Sequence, residues 1–142
     1  MYRKDFQKLA EDRLADARVL FKARRFDAAY YLAGYAVECA LKAHIAKRGR
    51  HHQFPAAPEI VRDIYSHDFN KLLKAADLAK SVEAAVKADV KLGLYLAVVK
   101  DWTEKSRYNR TVRREGKKKA QDMIEAIADP NHGVLKCLKI DW

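Results

Sequence analysis

Phe6, Leu9, Ala10, Leu14, Ala17, Leu20 and Phe21 recur every three or four residues, which predicts an amphipathic helix over about residues 3–23. Arg13 falls inside that apolar stripe, so it should either snorkel to water or pair with an acid on a neighbouring helix. The next stretch, FDAAYYLAGYAVECALKAHIAK, is apolar almost all round. It predicts a second helix from Phe26 to about Lys47, and the most buried one. Gly34 in its interior costs about 1 kcal/mol against alanine. Close backbone approach by another helix would account for it. Glu38 and Lys42 stand at i,i+4 spacing, which suits an ion pair. Glu38 also needs a partner within the fold, since an apolar helix tolerates a carboxylate only when it is paired. Arg13, Arg107 or a buried tyrosine hydroxyl could supply one.

Gly49 closes the second helix, and residues 50–59, with Pro55 and Pro58, read as a loop followed by a helical turn over 59–65. Ser66-His67-Asp68-Phe69 looks like a helix start, with Ser66 or Asp68 as cap, leading into a helix from Asp68 to Leu78. One further long helix is expected from Ser81 to about Asp101, with Val82, Val86, Val90, Gly93, Leu96 and Ala97 on its inner stripe. A polar, arginine-rich connection leads to a last long helix from about Glu115 to Ala128, then a partly helical tail. There is no hairpin signal, repeat or linker. The expected fold is all-α, an up-and-down bundle of four to five helices, with residues 1–142 as one domain.

Composition supports a globular chain: 49% of residues are hydrophobic and 34% charged, with five glycines and three prolines. No apolar run lacks charge for long enough to suggest a membrane span, and the charged start does not read as a signal peptide. With Cys39 in an apolar helix and no CxxC motif, a cytoplasmic protein with reduced thiols is expected.

The net charge of +10 has a location. Lys42, Lys47, Arg48 and Arg50 form one block without an acid. The stretch from Glu104 to Lys119 holds eight bases against two acids. The remainder is neutral on balance, so two basic patches point to a polyanion partner. Lys105, Arg107, Arg110 and Arg113, with Tyr108 and Asn109, are candidate ligand-binding residues: cations for phosphates and an aromatic ring for a base. Trp102 is read as a packing anchor. His44, His51 and His52 lack cysteine or carboxylate companions at ligand spacing, so no metal and no cofactor is expected.

Three segments carry a resemblance. The second-helix stretch FDAAYYLAGYAVECALKA looks like the signature helix of the HEPN family of prokaryotic helical-bundle domains. SHDFNKLL resembles that family's (S/T)HDL..L segment and WTEKSRY its W...(S)RY segment, in the same order. The resemblance spans roughly residues 3–130. It implies a bundle that pairs as a symmetric homodimer. It also implies association with RNA, nucleotides or a minimal nucleotidyltransferase partner of toxin–antitoxin type. Catalytic members are metal-independent ribonucleases with an Arg-x(4–6)-His pattern. Here no histidine follows Arg107 until His132. An imidazole that could move the proton is therefore missing from the expected place, which leans against an enzyme. Arg62 and His67 fit the spacing elsewhere and are the alternative catalytic pair. The reading is a non-catalytic, homodimeric binding module. Its alternatives are a ribonuclease toxin and an adaptor for an acidic protein.

Overall fold

The structure, a computed structural model, describes residues 2–49 and 62–142. It is all-α, with no strand among the described residues. Helix α1 spans Arg3–Lys22 and α2 spans Phe26–Arg48. They form an antiparallel hairpin joined by residues 23–25. The joint is a Schellman motif: the Arg24 amide donates to the Phe21 carbonyl and the Arg25 amide to the Leu20 carbonyl. Arg24 takes the left-handed backbone position, φ 61°, where glycine is usual.

α2 is the axis of the molecule. It packs against α1 on one side and α6 (Arg113–Ala128) on another, and it also meets α3 (Phe69–Ala75) and α7 (Val134–Lys139). Ala29, Ala33, Ala36, Val37, Ala40 and Leu41 are fully buried along it. Small side chains at these positions let the neighbouring helices approach closely. Asp68 caps α3 by accepting from the Lys71 amide, and the Ser66 hydroxyl accepts from the Asp68 amide.

The expected single helix from Ser81 to Asp101 is instead two: α4 (Ala79–Ala88) and α5 (Val90–Lys100). Asp89 breaks it. Its backbone is extended, at φ −141° and ψ 98°, and its carboxylate caps α5 by accepting from the Lys91 and Leu92 amides. His132 Nδ1 donates to the same carboxylate at 2.7 Å, fixing the break from across the bundle. The break turns Val90, expected on the inner stripe, out to solvent at 77% exposure, and Ala97 is exposed with it. Between α5 and α6 the chain makes a 3-10 turn over Glu104–Tyr108.

The loop expected over residues 50–59, with His51 and His52, lies outside the described residues. No described helix is long and apolar enough to cross a membrane.

Candidate functional site

Two pockets flank the 3-10 turn. The first, of about 740 Å³, opens between the start of α2 and the stretch from Arg107 to Arg113. Five arginines line it: Arg24 and Arg25 from the α1–α2 joint, Arg107, Arg110 and Arg113 from the connection. Asp27 is the one carboxylate in the lining, and it is engaged: its Oδ2 accepts from the Thr111 amide at 2.8 Å, pinning the connection onto α2. Gly116 of α6 sits beside Asp27 and Phe26, where a Cβ would stand 3.5 Å from each. Tyr31 supplies the aromatic wall. Its ring stacks between Trp102, centroids 6.0 Å apart, and Tyr35 at 6.1 Å. The guanidinium of Arg107 lies 4.9 Å from the Tyr108 ring centroid. The phenol groups of Tyr108 and Tyr31 beside it push its pKa further up.

The second pocket, of about 360 Å³, lies on the other side of the turn. His67, Asn70, Lys100, Trp102, Thr103 and Lys105 are among its walls. Beneath it sits Glu38, 2% exposed. Lys42 Nζ donates to Glu38 Oε1 at 2.7 Å, the i,i+4 pair visible in the sequence. His67 Nδ1 lies 3.0 Å from both carboxylate oxygens. A carboxylate only accepts here, so Nδ1 carries the proton.

The partner expected for Glu38 is therefore corrected. Neither Arg13 nor Arg107 nor a tyrosine holds it; Lys42 and His67 do. Arg13 pairs with Asp16 of its own helix at 3.1 Å rather than with an acid of a neighbouring one. Gly34 is explained by a side chain instead of a helix backbone. A Cβ there would stand 2.3 Å from Cδ1 and Nε1 of Trp102, whose ring fills the space. The Trp102 Nε1 group is buried with no hydrogen-bond partner among the described residues.

Of the sequence-derived ligand-binding residues, the first pocket gathers Arg107, Asn109, Arg110 and Arg113. Lys105 belongs to the second pocket, and Tyr108, 73% exposed, lines neither. Arg62 is exposed, one turn before His67; what orients His67 is Glu38. Sequence reading missed Arg24 and Arg25, which lie in the part of the chain that is neutral on balance. The available signal was two adjacent arginines at the joint of a helical hairpin. Among the described residues no group of three or more His, Cys, Asp or Glu could hold a metal ion. Cys39 and Cys137 are free thiols, and burial pushes the Cys39 thiol up to about 11.

This arrangement of helices agrees with the comparison to known families: the HEPN domain matches residues 4–129, and the chain belongs to that family. No curated protein and no solved structure matches the chain.

Proposed function

We propose that this HEPN domain is a non-catalytic binding module whose arginine pocket takes the phosphates of single-stranded RNA or of a nucleotide. One observation carries the reading: five arginines from two segments far apart in sequence converge on one pocket with a single, already engaged carboxylate. Guanidinium groups match phosphate oxygens two at a time and stay charged at any physiological pH. Phe26, Asp27 and Ala28, in the first turn of α2, also line the pocket, and their amides have no carbonyl partner within the helix. The volume is that of an ordinary ligand pocket. Arginine cannot shuttle protons, so this lining suits holding charge rather than acid–base chemistry.

The test is fluorescence anisotropy with a labelled single-stranded RNA across a salt series. Changing Arg107, Arg110 and Arg113 together to alanine should weaken binding and flatten the log K against log salt slope by up to about 2 units, about 0.7 per phosphate contact. Binding untouched by the triple change removes the reading. RNA binding that does not depend on salt would favour the adaptor role instead. Metal-independent RNA cleavage by the pure protein, lost on His67→Ala, would favour the ribonuclease. The homodimer belongs to the same proposal, and a monomeric mass by light scattering at tens of micromolar would remove it. So does the nucleotidyltransferase partner, which co-purification with such a protein would test.

A further inference from the structure

The two pockets share a wall. Tyr31 lines the arginine pocket, Trp102 lines the His67 pocket, and the two rings are stacked 6.0 Å apart. Only the 3-10 turn separates the openings. At about 2 Å rise per residue it carries the chain about 8 Å from Lys105 to Asn109, a step that an extended strand of nucleic acid covers easily.

The chemistry on the two sides of the turn differs. On the arginine side cations dominate. On the His67 side Lys100 and Lys105 are matched by Asp68 and Glu104, so nothing there calls for a second cluster of phosphates. What remains is uncharged: Ser66, Asn70, Thr103 and the imidazole, with the rings of Phe69 and Trp102. The imidazole is oriented. Its Nδ1–H is committed to Glu38, whose carboxylate also accepts from Lys42. In the neutral imidazole with its proton on Nδ1, the other nitrogen, Nε2, is an acceptor, and the side chain, 44% exposed, lines the pocket. A fixed acceptor in a polar, charge-balanced pocket one step from a phosphate site suits a sugar hydroxyl. In nucleic acids the ribose 2′-hydroxyl is the donor that RNA has and DNA lacks.

We infer that the two pockets form one track for single-stranded RNA longer than a mononucleotide, and that His67, held by Glu38, reads a ribose 2′-hydroxyl beside the arginine-bound phosphates. This rests on the arginine pocket binding phosphate. His67 is thus a specificity-determining residue for RNA over DNA.

The experiment compares a labelled RNA octamer with the DNA octamer of matching sequence, and with octamers carrying one 2′-deoxy position each, by anisotropy on the intact protein. RNA should bind about fivefold tighter than DNA, the worth of one hydrogen bond. One deoxy position should reproduce most of that loss, a readout that requires no protein variant. His67→Phe keeps a ring and removes the acceptor, so it should erase the RNA–DNA difference; His67→Gln, which retains an acceptor, should keep part of it. Equal affinity for RNA and DNA in the wild type overturns the inference, as does a difference that persists in His67→Phe. If RNA and DNA bind equally but the triple arginine change abolishes both, the phosphate pocket stands and only the His67 assignment falls. If octamer binding ignores the triple change, the phosphate pocket itself falls.

Discussion

Helices α2 and α5 have the same kind of sequence and opposite surroundings. Both are apolar in nearly every direction, with no clean polar face. Around α2 the bundle closes on most sides, leaving Tyr31, Leu32 and Tyr35 half-buried, and even Glu38 and His44 are taken into the interior. α5 buries Leu92, Leu96 and Val99, yet leaves Val90 and Leu94 in water, Leu94 at 66% exposure. All-round hydrophobicity therefore says that a helix can be buried, not that it is. What separates the two is the demand each makes on distant residues. α2 needs Trp102 to fill the groove at Gly34 and His67 to join its own Lys42 on Glu38; α5 needs one cap, Asp89, held by His132.

The contrast can be broken most severely at Gly34. Gly34→Ala puts a methyl group into the Trp102 ring, and the buried ring cannot swing away without uncovering α2. A loss of about 3 kcal/mol is expected by denaturant unfolding, despite alanine's better helix propensity, with a changed tryptophan emission. Little or no loss would mean that the indole is not fixed on α2. Next comes Glu38→Ala, which leaves Lys42 and His67 facing an empty, buried site. Both can turn partly to water, so the cost should fall near the lower end for a broken buried pair, about 2 to 3 kcal/mol. Stability within error of wild type would show that the network is dispensable.

A third test uses pH. His44 Nε2 donates to the Leu138 carbonyl at 2.5 Å, tying α2 to α7. Burial, against the pull of that carbonyl, and the nearby Lys47 and Arg3 lower its pKa below 6.5. With the folded value depressed, stability is fully present above pH 6.5 and is lost as pH falls through the lower folded value. The urea midpoint should drop between pH 7.5 and pH 5.5, and His44→Gln, which cannot titrate, should shrink that drop. The smallest effect belongs to α5. Leu94→Lys should change the unfolding free energy by less than about 0.5 kcal/mol, since the side chain already meets water. A larger loss would show that this face is covered.

Much of this was legible in the chain. The helical class, the depth of α2, the Gly49 stop, the Asp68 cap and the Glu38–Lys42 spacing all follow from local pattern. So do three of the five arginines of the pocket, because Arg107, Arg110 and Arg113 are neighbours in sequence. The rest depends on residues brought together from far apart. Asp89 breaks a helix that its neighbours would continue, and His132, which holds it there, is 43 positions away. Arg24 and Arg25 join the other arginines only because the α1–α2 hairpin turns there. Glu38 announced the need for a partner but not which of many bases would meet it, and the answer, His67, comes from the start of another helix.

Arg24 has a consequence beyond its charge. A left-handed backbone costs a side-chain-bearing residue about 1 kcal/mol or more, and glycine would occupy the position freely. Arg24→Gly should therefore raise the melting temperature while weakening RNA binding. Any attempt to make this domain sturdier by the usual rules would begin by erasing one wall of its pocket. A stabilised variant selected on thermal tolerance alone would be expected to lose its arginine here, and with it part of the phosphate binding proposed for the pocket.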